Sequence, residues 1–177
     1  MTEEKESEVI RLSEADPHFK YELSKIPEIE NLMVCMQCGT CTADCPVARS
    51  SSIYRPLKIL RMVLLGMKPD VLSADELWLC ASCYTCTDRC PRGVEFASVL
   101  RVLRNMAVEQ GYVPEGFREL VFNVLDNGYA YGISESRMRK REAAGLPPLP
   151  KSNPKKLARL AQILEFLKQT KKVEGGK

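Results

Sequence analysis

Apolar residues recur at helical spacing along most of the chain, and no segment alternates long enough to predict a strand. Arg55–Leu65 carries a stripe of leucines and ends before Gly66. A second stripe runs through Glu95–Gln110, and Pro114 begins another helix that ends near Asn127. The pattern predicts a mostly α-helical protein.

Shorter helices are predicted between these long ones. Asp16-Pro17 is typical of a helix start, and that helix runs to about Lys25. Pro27 begins a second short helix, and Ser73-Ala-Asp-Glu76 has the spacing of a capping box. We therefore expect a short helix immediately before Trp78.

The last part of the chain is more polar and basic. Residues 134–177 hold twelve Lys and Arg against four Asp and Glu, whereas the whole chain has a net charge of +3. Ser134 and Asn153 are predicted helix caps on either side of a proline-rich linker. The final helix is amphipathic, and its apolar face packs either on its own domain or on a partner protein. The residues of this face are Leu157, Leu160, Ala161, Leu164 and Leu167.

This pattern predicts three segments. Residues 1–29 form an acidic N-terminal helical segment, residues 30–133 form the main helical domain, and residues 134–177 form the basic C-terminal extension with its terminal amphipathic helix. The basic extension either lies exposed to solvent or binds an acidic surface of a partner protein. No nucleic-acid motif is present, so we expect no nucleic-acid partner.

All eight cysteines belong to two copies of one motif, C-x-x-C-x-x-C-x-x-x-C-P. This is the spacing of proteins that carry two [4Fe–4S] clusters, in which the fourth cysteine of each motif ligates the other cluster. The spacing thus predicts two ligand sets. The first set is Cys35, Cys38, Cys41 and Cys90, and the second is Cys80, Cys83, Cys86 and Cys45.

Zinc and disulfide bonds explain the cysteines less well. Structural zinc sites use two cysteine pairs without a third cysteine at the same short interval. Disulfide frameworks are typical of short secreted chains, and the acidic N-terminus does not resemble a signal peptide. The two motifs also match beyond cysteine at a constant offset of 45 residues, which indicates a duplicated cluster-binding unit; the matching pairs are Thr40/Thr85, Thr42/Thr87 and Pro46/Pro91.

The chain contains few residues or motifs that could catalyse a reaction on their own. It has one histidine, His18, and no glycine-rich nucleotide motif, so flavin, nicotinamide or ATP would bind another chain. If every cluster iron has a thiolate, the clusters move electrons and no catalytic residue is expected here. Two groups of residues are candidates for tuning the clusters, and each has an equally good structural explanation. The four threonines of the motifs are either hydrogen-bond donors to sulfur or simply turn residues, and Trp78 and Tyr84 either shield a cluster from water or pack in the core.

The longest apolar run, Ile59–Met67, is too short to cross a membrane and contains Arg61. Oxygen-sensitive clusters favour a reducing compartment. We therefore expect a cytoplasmic protein without a membrane span.

These residues together resemble the C subunit of heterodisulfide reductase. The resemblance covers residues 30–150 and rests on the first cysteine motif, on the stretch from Trp78 to Val94 and on Gly145-Leu-Pro-Pro148. It implies an α-helical ferredoxin-like domain with two [4Fe–4S] cluster-binding loops. In that family, which serves methanogenesis, the C subunit relays electrons from a flavin- and iron–sulfur-containing A subunit to a catalytic B subunit. The B subunit reduces the mixed disulfide of coenzyme M and coenzyme B.

The resemblance also implies a multi-subunit oxidoreductase complex, with a hydrogenase or another electron-donating module as a further partner. Two other functions stay open on the sequence. One is the iron–sulfur subunit of a flavoprotein dehydrogenase of the succinate/fumarate or glycerol-phosphate type. The other is a sensory or binding module that contains clusters.

Overall fold

The computed structural model describes residues 13, 15–150 and 153–163. This part of the chain is helical, with short turns and no strand. Two 3-10 helices, Pro27–Val34 and Asp75–Leu79, precede the two cysteine motifs and are called the first and second lead-in helices. The α-helices are α1 (Phe19–Ser24), α2 (Thr40–Ala43), α3 (Pro46–Ser50), α4 (Pro56–Leu64), α5 (Lys68–Ser73), α6 (Thr85–Asp88), α7 (Phe96–Glu109), α8 (Glu115–Asn127), α9 (Glu135–Ala143) and α10 (Pro154–Ile163).

The chain divides into two compact units, Met1–Ala107 and Val108–Lys177. The first unit contains both cysteine motifs and one hydrophobic core. Helices α4 and α7 supply much of that core, because their apolar stripes face inward as the sequence predicts. The largest side chains with almost no exposed surface are Phe19, Leu23, Ile29, Leu32, Tyr54, Leu60, Leu72, Leu77, Phe96, Leu100 and Leu103.

Gly66 fixes the contact between the start of α1 and the end of α4. Its φ of +81° is in the left-handed region, and its carbonyl accepts a hydrogen bond of 2.8 Å from the Asp16 backbone N–H. A Cβ atom at this position would lie 2.1 Å from the Asp16 carbonyl oxygen. Only glycine allows the two backbones to approach this closely.

The predicted capping box is wrong. Ser73 is the last residue of α5, and its hydroxyl donates to the Pro69 carbonyl at 2.9 Å. The second lead-in helix instead begins after Ala74, without a side-chain cap. Helix α5, which packs against α4, thus ends at the residue where the sequence pattern placed a helix start.

The second unit consists of α8, α9, α10 and their connections. Two predicted caps are confirmed, because Ser134 accepts a hydrogen bond from Arg137 N–H at 3.4 Å and Asn153 accepts one from Lys156 N–H at 3.1 Å. Helix α10 packs on α8 and buries Ala161, although Leu160 remains 52% exposed. Leu164 and Leu167 of the predicted stripe lie outside the described residues.

The prediction of a mostly α-helical protein is confirmed. The segment boundaries at residues 29/30 and 133/134 stay predictions. In the described part of the chain, no helix combines the length and apolar character needed to cross a membrane.

Candidate metal centre

Both cysteine motifs fold into the same loop. Each lead-in helix ends at the first cysteine of its motif, and Cys35 and Cys80 share a φ of −64° with extended ψ values of 116° and 126°. A four-residue helix, α2 or α6, follows the second cysteine and carries the third. The 45-residue repeat of the sequence is therefore also a repeat of backbone structure.

The loops contain left-handed backbone at matching positions. Gln37 and Gly39 have φ values of 58° and 85° in the first loop, and Ser82 and Tyr84 have values of 51° and 60° in the second. Residues other than glycine rarely adopt this conformation, so it indicates local strain. The tight turn lets the Ser82 N–H point at the Cys80 sulfur, at 3.3 Å.

The second cysteine of each motif is the most accessible thiol. Cys38 and Cys83 are exposed, and each contacts the hydroxyl of the threonine two residues later, at 3.3 Å for Thr40 and 3.5 Å for Thr85. Hydrogen bonds from these threonines lower the pKa of both thiols. The thiolate form required of an iron ligand is thus favoured at the two surface positions.

The third cysteine of each motif lies deeper. Burial raises the pKa of Cys41, and it raises that of Cys86 to about 11. Negative charge on Cys35, Cys38 and Cys90 adds to the effect at Cys41, so each of these three thiols lies within electrostatic reach of Cys41.

The two cysteine groups adjoin each other in the interior. Helices α2 and α6 are in contact, and Cys41 lies close enough to Cys86 to influence its pKa. The half-buried Cys41 and the buried Cys86 therefore lie where the two loops meet, whereas Cys38 and Cys83 lie at the surface.

The donor set fits two iron–sulfur clusters. Eight thiols, two of them buried, line repeated loops that contain backbone and hydroxyl donors directed at sulfur. Thr87 adds a buried hydroxyl that has no well-directed hydrogen-bond partner, although it is near enough to Cys86 to lower its pKa. A cluster sulfur would be a suitable acceptor for this hydroxyl.

The four predicted threonine donors thus differ in their contacts. Thr40 and Thr85 contact the surface thiols directly, as expected. The Thr42 hydroxyl lies near Cys41 and also accepts the Leu57 N–H at 2.9 Å, which helps to start α4. The equivalent contact is missing at Thr87, whose buried hydroxyl has no hydrogen-bond partner.

The two predicted aromatic shields also differ. Tyr84 is 48% exposed, and in the loop it is one of the residues with a left-handed backbone conformation. Trp78 is half-buried against the core, and the Arg104 guanidinium lies 5.7 Å from its ring centre.

Tyr54 is a site residue that the motifs alone did not indicate. It is 1% exposed and lies in the same core as Cys45 and Cys86, with Cys80 packed against that core. Burial, followed by these sulfur neighbours, raises the pKa of Tyr54 far above its usual range. The phenol therefore stays protonated.

Arg104 holds the second loop from the neighbouring helix α7. Its guanidinium donates to the Leu77 carbonyl at 2.7 Å and to the Cys80 carbonyl at 3.1 Å. These bonds pin the end of the second lead-in helix at the first cysteine of its motif.

We expect Arg104→Met to loosen the second loop and to destabilise the cluster-containing protein by about 2 kcal/mol, because two partly buried carbonyls lose a charged donor. Denaturant titration, followed by cluster absorbance, measures the change. Arg101→Met is the matched control, since Arg101 lies on the same helix and forms an exposed ion pair with Glu28, for which we expect less than about 1 kcal/mol. Equal losses in the two variants would show that Arg104 has no special role.

Comparison with known proteins gives two consistent results. Residues 31–94 match the 4Fe-4S dicluster domain. The chain is 34% identical over 167 residues to the iron–sulfur C subunit of CoB–CoM heterodisulfide reductase from Methanopyrus kandleri, covering 90% of this chain and 86% of that protein. It is 38% identical over 152 residues to the C subunit of ferredoxin:CoB–CoM heterodisulfide reductase from Methanosarcina mazei, covering 85% and 93% respectively.

A third relative extends the match along nearly the whole chain. A protein of Archaeoglobus profundus that is described as similar to the heterodisulfide reductase C subunit is 32% identical over 183 residues, covering 99% of this chain and 96% of that protein. The similarity therefore includes both cysteine motifs and the helices after them.

Proposed function

The chain belongs to the family of heterodisulfide reductase C subunits, and from this premise we propose that it relays electrons from a flavin-containing subunit to a catalytic subunit that reduces a heterodisulfide. Membership of the family makes it an iron–sulfur electron-transfer subunit of a redox complex, with two [4Fe–4S] clusters. The identity of the partners and the direction of electron flow are part of the proposal.

The ligand sets that we propose follow the crossed pattern. Cys35, Cys38, Cys41 and Cys90 would hold the first cluster, and Cys80, Cys83, Cys86 and Cys45 the second. Two groups of neighbouring side chains support this assignment. Cys41 lies near the other three thiols of the first set, and the Tyr54 hydroxyl lies near three thiols of the second set.

The observation that carries the relay function is the placement of the thiols. One cysteine of each motif is exposed, at Cys38 and Cys83, and the two cysteine groups meet inside at Cys41 and Cys86. Bound at these thiolates, two clusters accept and pass on single electrons. An electron can thus enter at one surface position, cross the interior and leave at the other.

Catalysis on the disulfide would take place on another polypeptide. All eight thiols are assigned as iron ligands, and no two cysteines are adjacent, unlike the paired cysteines expected of the B subunit. Reduction of one disulfide to two thiols takes two electrons and two protons, so two single-electron transfers through this chain serve each turnover. The protons would be supplied where the disulfide is bound.

We further propose a cytoplasmic complex in which this chain contacts the A and B subunits, with a hydrogenase or another electron-donating module upstream. Apolar side chains surround the exposed ends of the loops. Met36, two residues before Cys38, is 56% exposed; Leu79, next to Cys80, and Tyr84, next to Cys83, are 41% and 48% exposed. Such patches suit contact with partner proteins at the points of electron entry and exit.

Anaerobic affinity purification of the tagged, full-length chain from its native cells tests the proposed partners. We expect mass spectrometry to identify a flavoprotein together with a second protein that bears adjacent-cysteine motifs. Cells that carry the untagged chain are the control. Recovery of a dehydrogenase flavoprotein alone would contradict the proposal and favour the dehydrogenase alternative.

A further inference from the structure

Gln37 lies between the first two cysteines of the first motif, and its side-chain Nε2 lies 3.6 Å from the Cys35 sulfur. We propose that this amide donates a hydrogen bond to Cys35, that Arg61 holds it in the donating orientation, and that the bond raises the reduction potential of the first cluster. This role depends on the proposed function only in taking Cys35 as an iron ligand. It holds whichever way the fourth cysteines are shared, because Cys35 belongs to the first motif.

The backbone of the loop brings the Gln37 side chain back towards Cys35. Gln37 has a φ of 58°, in the left-handed region that residues other than glycine rarely adopt. The chain thus turns sharply after Cys35, so that a side chain two residues later reaches the cysteine sulfur. Sulfur is a larger atom than oxygen, and for this reason a bond of 3.6 Å to sulfur is longer than the about 2.9 Å typical of N–H···O bonds.

Arg61 determines which end of the Gln37 amide faces the sulfur. Its Nε lies 3.2 Å from Gln37 Oε1. A guanidinium has donors and no acceptor, so the end of the amide that faces Arg61 is the carbonyl oxygen. The NH₂ group is left at the opposite end, directed at Cys35. Arg61 lies on α4, outside the cysteine motif, and therefore acts on the cluster through Gln37 as a positioning residue.

The second loop uses a different donor at the matching position. Ser82 corresponds to Gln37 at the 45-residue offset and has the same left-handed backbone, with a φ of 51°. Its backbone N–H, and not its side chain, donates to the Cys80 sulfur at 3.3 Å. A substitution at Gln37 therefore removes a donor from the first loop and leaves the donor of the second loop in place.

A hydrogen bond to a ligand sulfur favours the reduced cluster, because reduction adds negative charge that the donor stabilises. Gln37 and Cys35 are both half-buried, so water screens the bond only in part. Gln37 consequently makes the first cluster a better electron acceptor than the same loop would be without this amide. The positive charge of Arg61 acts in the same direction, and a matched variant is needed to separate that charge from the orientation of the amide.

Redox titration of the full-length, cluster-containing chain, followed by electron paramagnetic resonance, tests the role of Gln37. In Gln37→Met, which keeps the length of the side chain without a donor, we expect a more negative midpoint potential for the first cluster and no change for the second. The signal that is altered by Cys38→Ser identifies the first cluster. Unchanged potentials in Gln37→Met, or equal shifts of both clusters, would overturn the proposal.

Arg61→Met tests the orientation of the amide, and Lys58→Met is its matched control. Lys58 carries the same charge on the same helix but pairs with Glu76, at 3.2 Å. We expect the first potential to shift to a more negative value in Arg61→Met, by more than in Lys58→Met. Combined with Gln37→Met, Arg61→Met should add no more than Lys58→Met does, because the amide that it positions is gone. Equal shifts in the two α4 variants, or a full Arg61→Met shift without Gln37, would overturn the positioning role.

Iron content and absorbance at the start of the titration confirm that both clusters are present. If Gln37→Met loses a cluster, Gln37→Ser gives a second test, since serine occupies the matching left-handed position of the second loop. The same negative shift of the first potential is expected, and its absence would overturn the proposal. The titration needs no partner, so its failure leaves the proposed relay intact, and a failed purification of partners leaves the role of Gln37 intact.

Discussion

We expect Cys90→Ser to remove or strongly alter the cluster held mainly by the first motif, although Cys90 lies in the second. The reason is the crossed ligand pattern, in which the fourth cysteine of each motif serves the other cluster. Cys90 lies close to Cys41 in the structure, and its sulfur accepts the Val94 N–H at 3.2 Å. Electron paramagnetic resonance of the reduced protein, together with iron analysis, measures the result. A variant that loses one cluster completely would retain half of the iron.

Cys45→Ser is the matched counterpart and should damage the cluster held mainly by the second motif. Cys45 is 8% exposed and lies, like Cys80 and Cys86, near the Tyr54 hydroxyl. The two variants exchange the same atoms at equivalent positions of the repeat, so each controls for the other. If each substitution instead altered the cluster of its own motif, the crossed assignment would be incorrect.

Much of the fold and the metal centre can be predicted from local sequence. The helical stripes of α4 and α7, the end of α8 at Asn127 and the caps of α9 and α10 depend on residues close together in the chain, and the structure agrees with them. The spacing of the cysteines and their 45-residue offset likewise predict two similar loops. The matching left-handed residues show that this similarity extends to the backbone.

Local sequence fails where tertiary contacts decide the structure. Ser73 has the right spacing for a helix cap, but it is the last residue of α5, which packs against α4. Arg104 is distant in sequence from the carbonyls that it binds, and no motif marks such a contact. Ser82 and Tyr84 carry the left-handed backbone that glycine would be expected to provide.

Tyr54 is a further example of this limit. The turn and the burial that hold its side chain in the core with Cys45 and Cys86 are properties of the folded chain, and the cysteine motifs do not indicate them.

Disulfide reduction by a complex reconstituted from separate proteins tests the relay most directly. With a reduced flavoprotein, a catalytic protein and this cluster-containing chain, we expect the heterodisulfide to be consumed and its two thiols to form. Omission of the chain should reduce the rate to background, and the chain alone should reduce no disulfide. Cys90→Ser is the matched control, because it keeps the outer surface while interrupting the path, and it should also give only background. An undiminished rate without the chain would contradict the account.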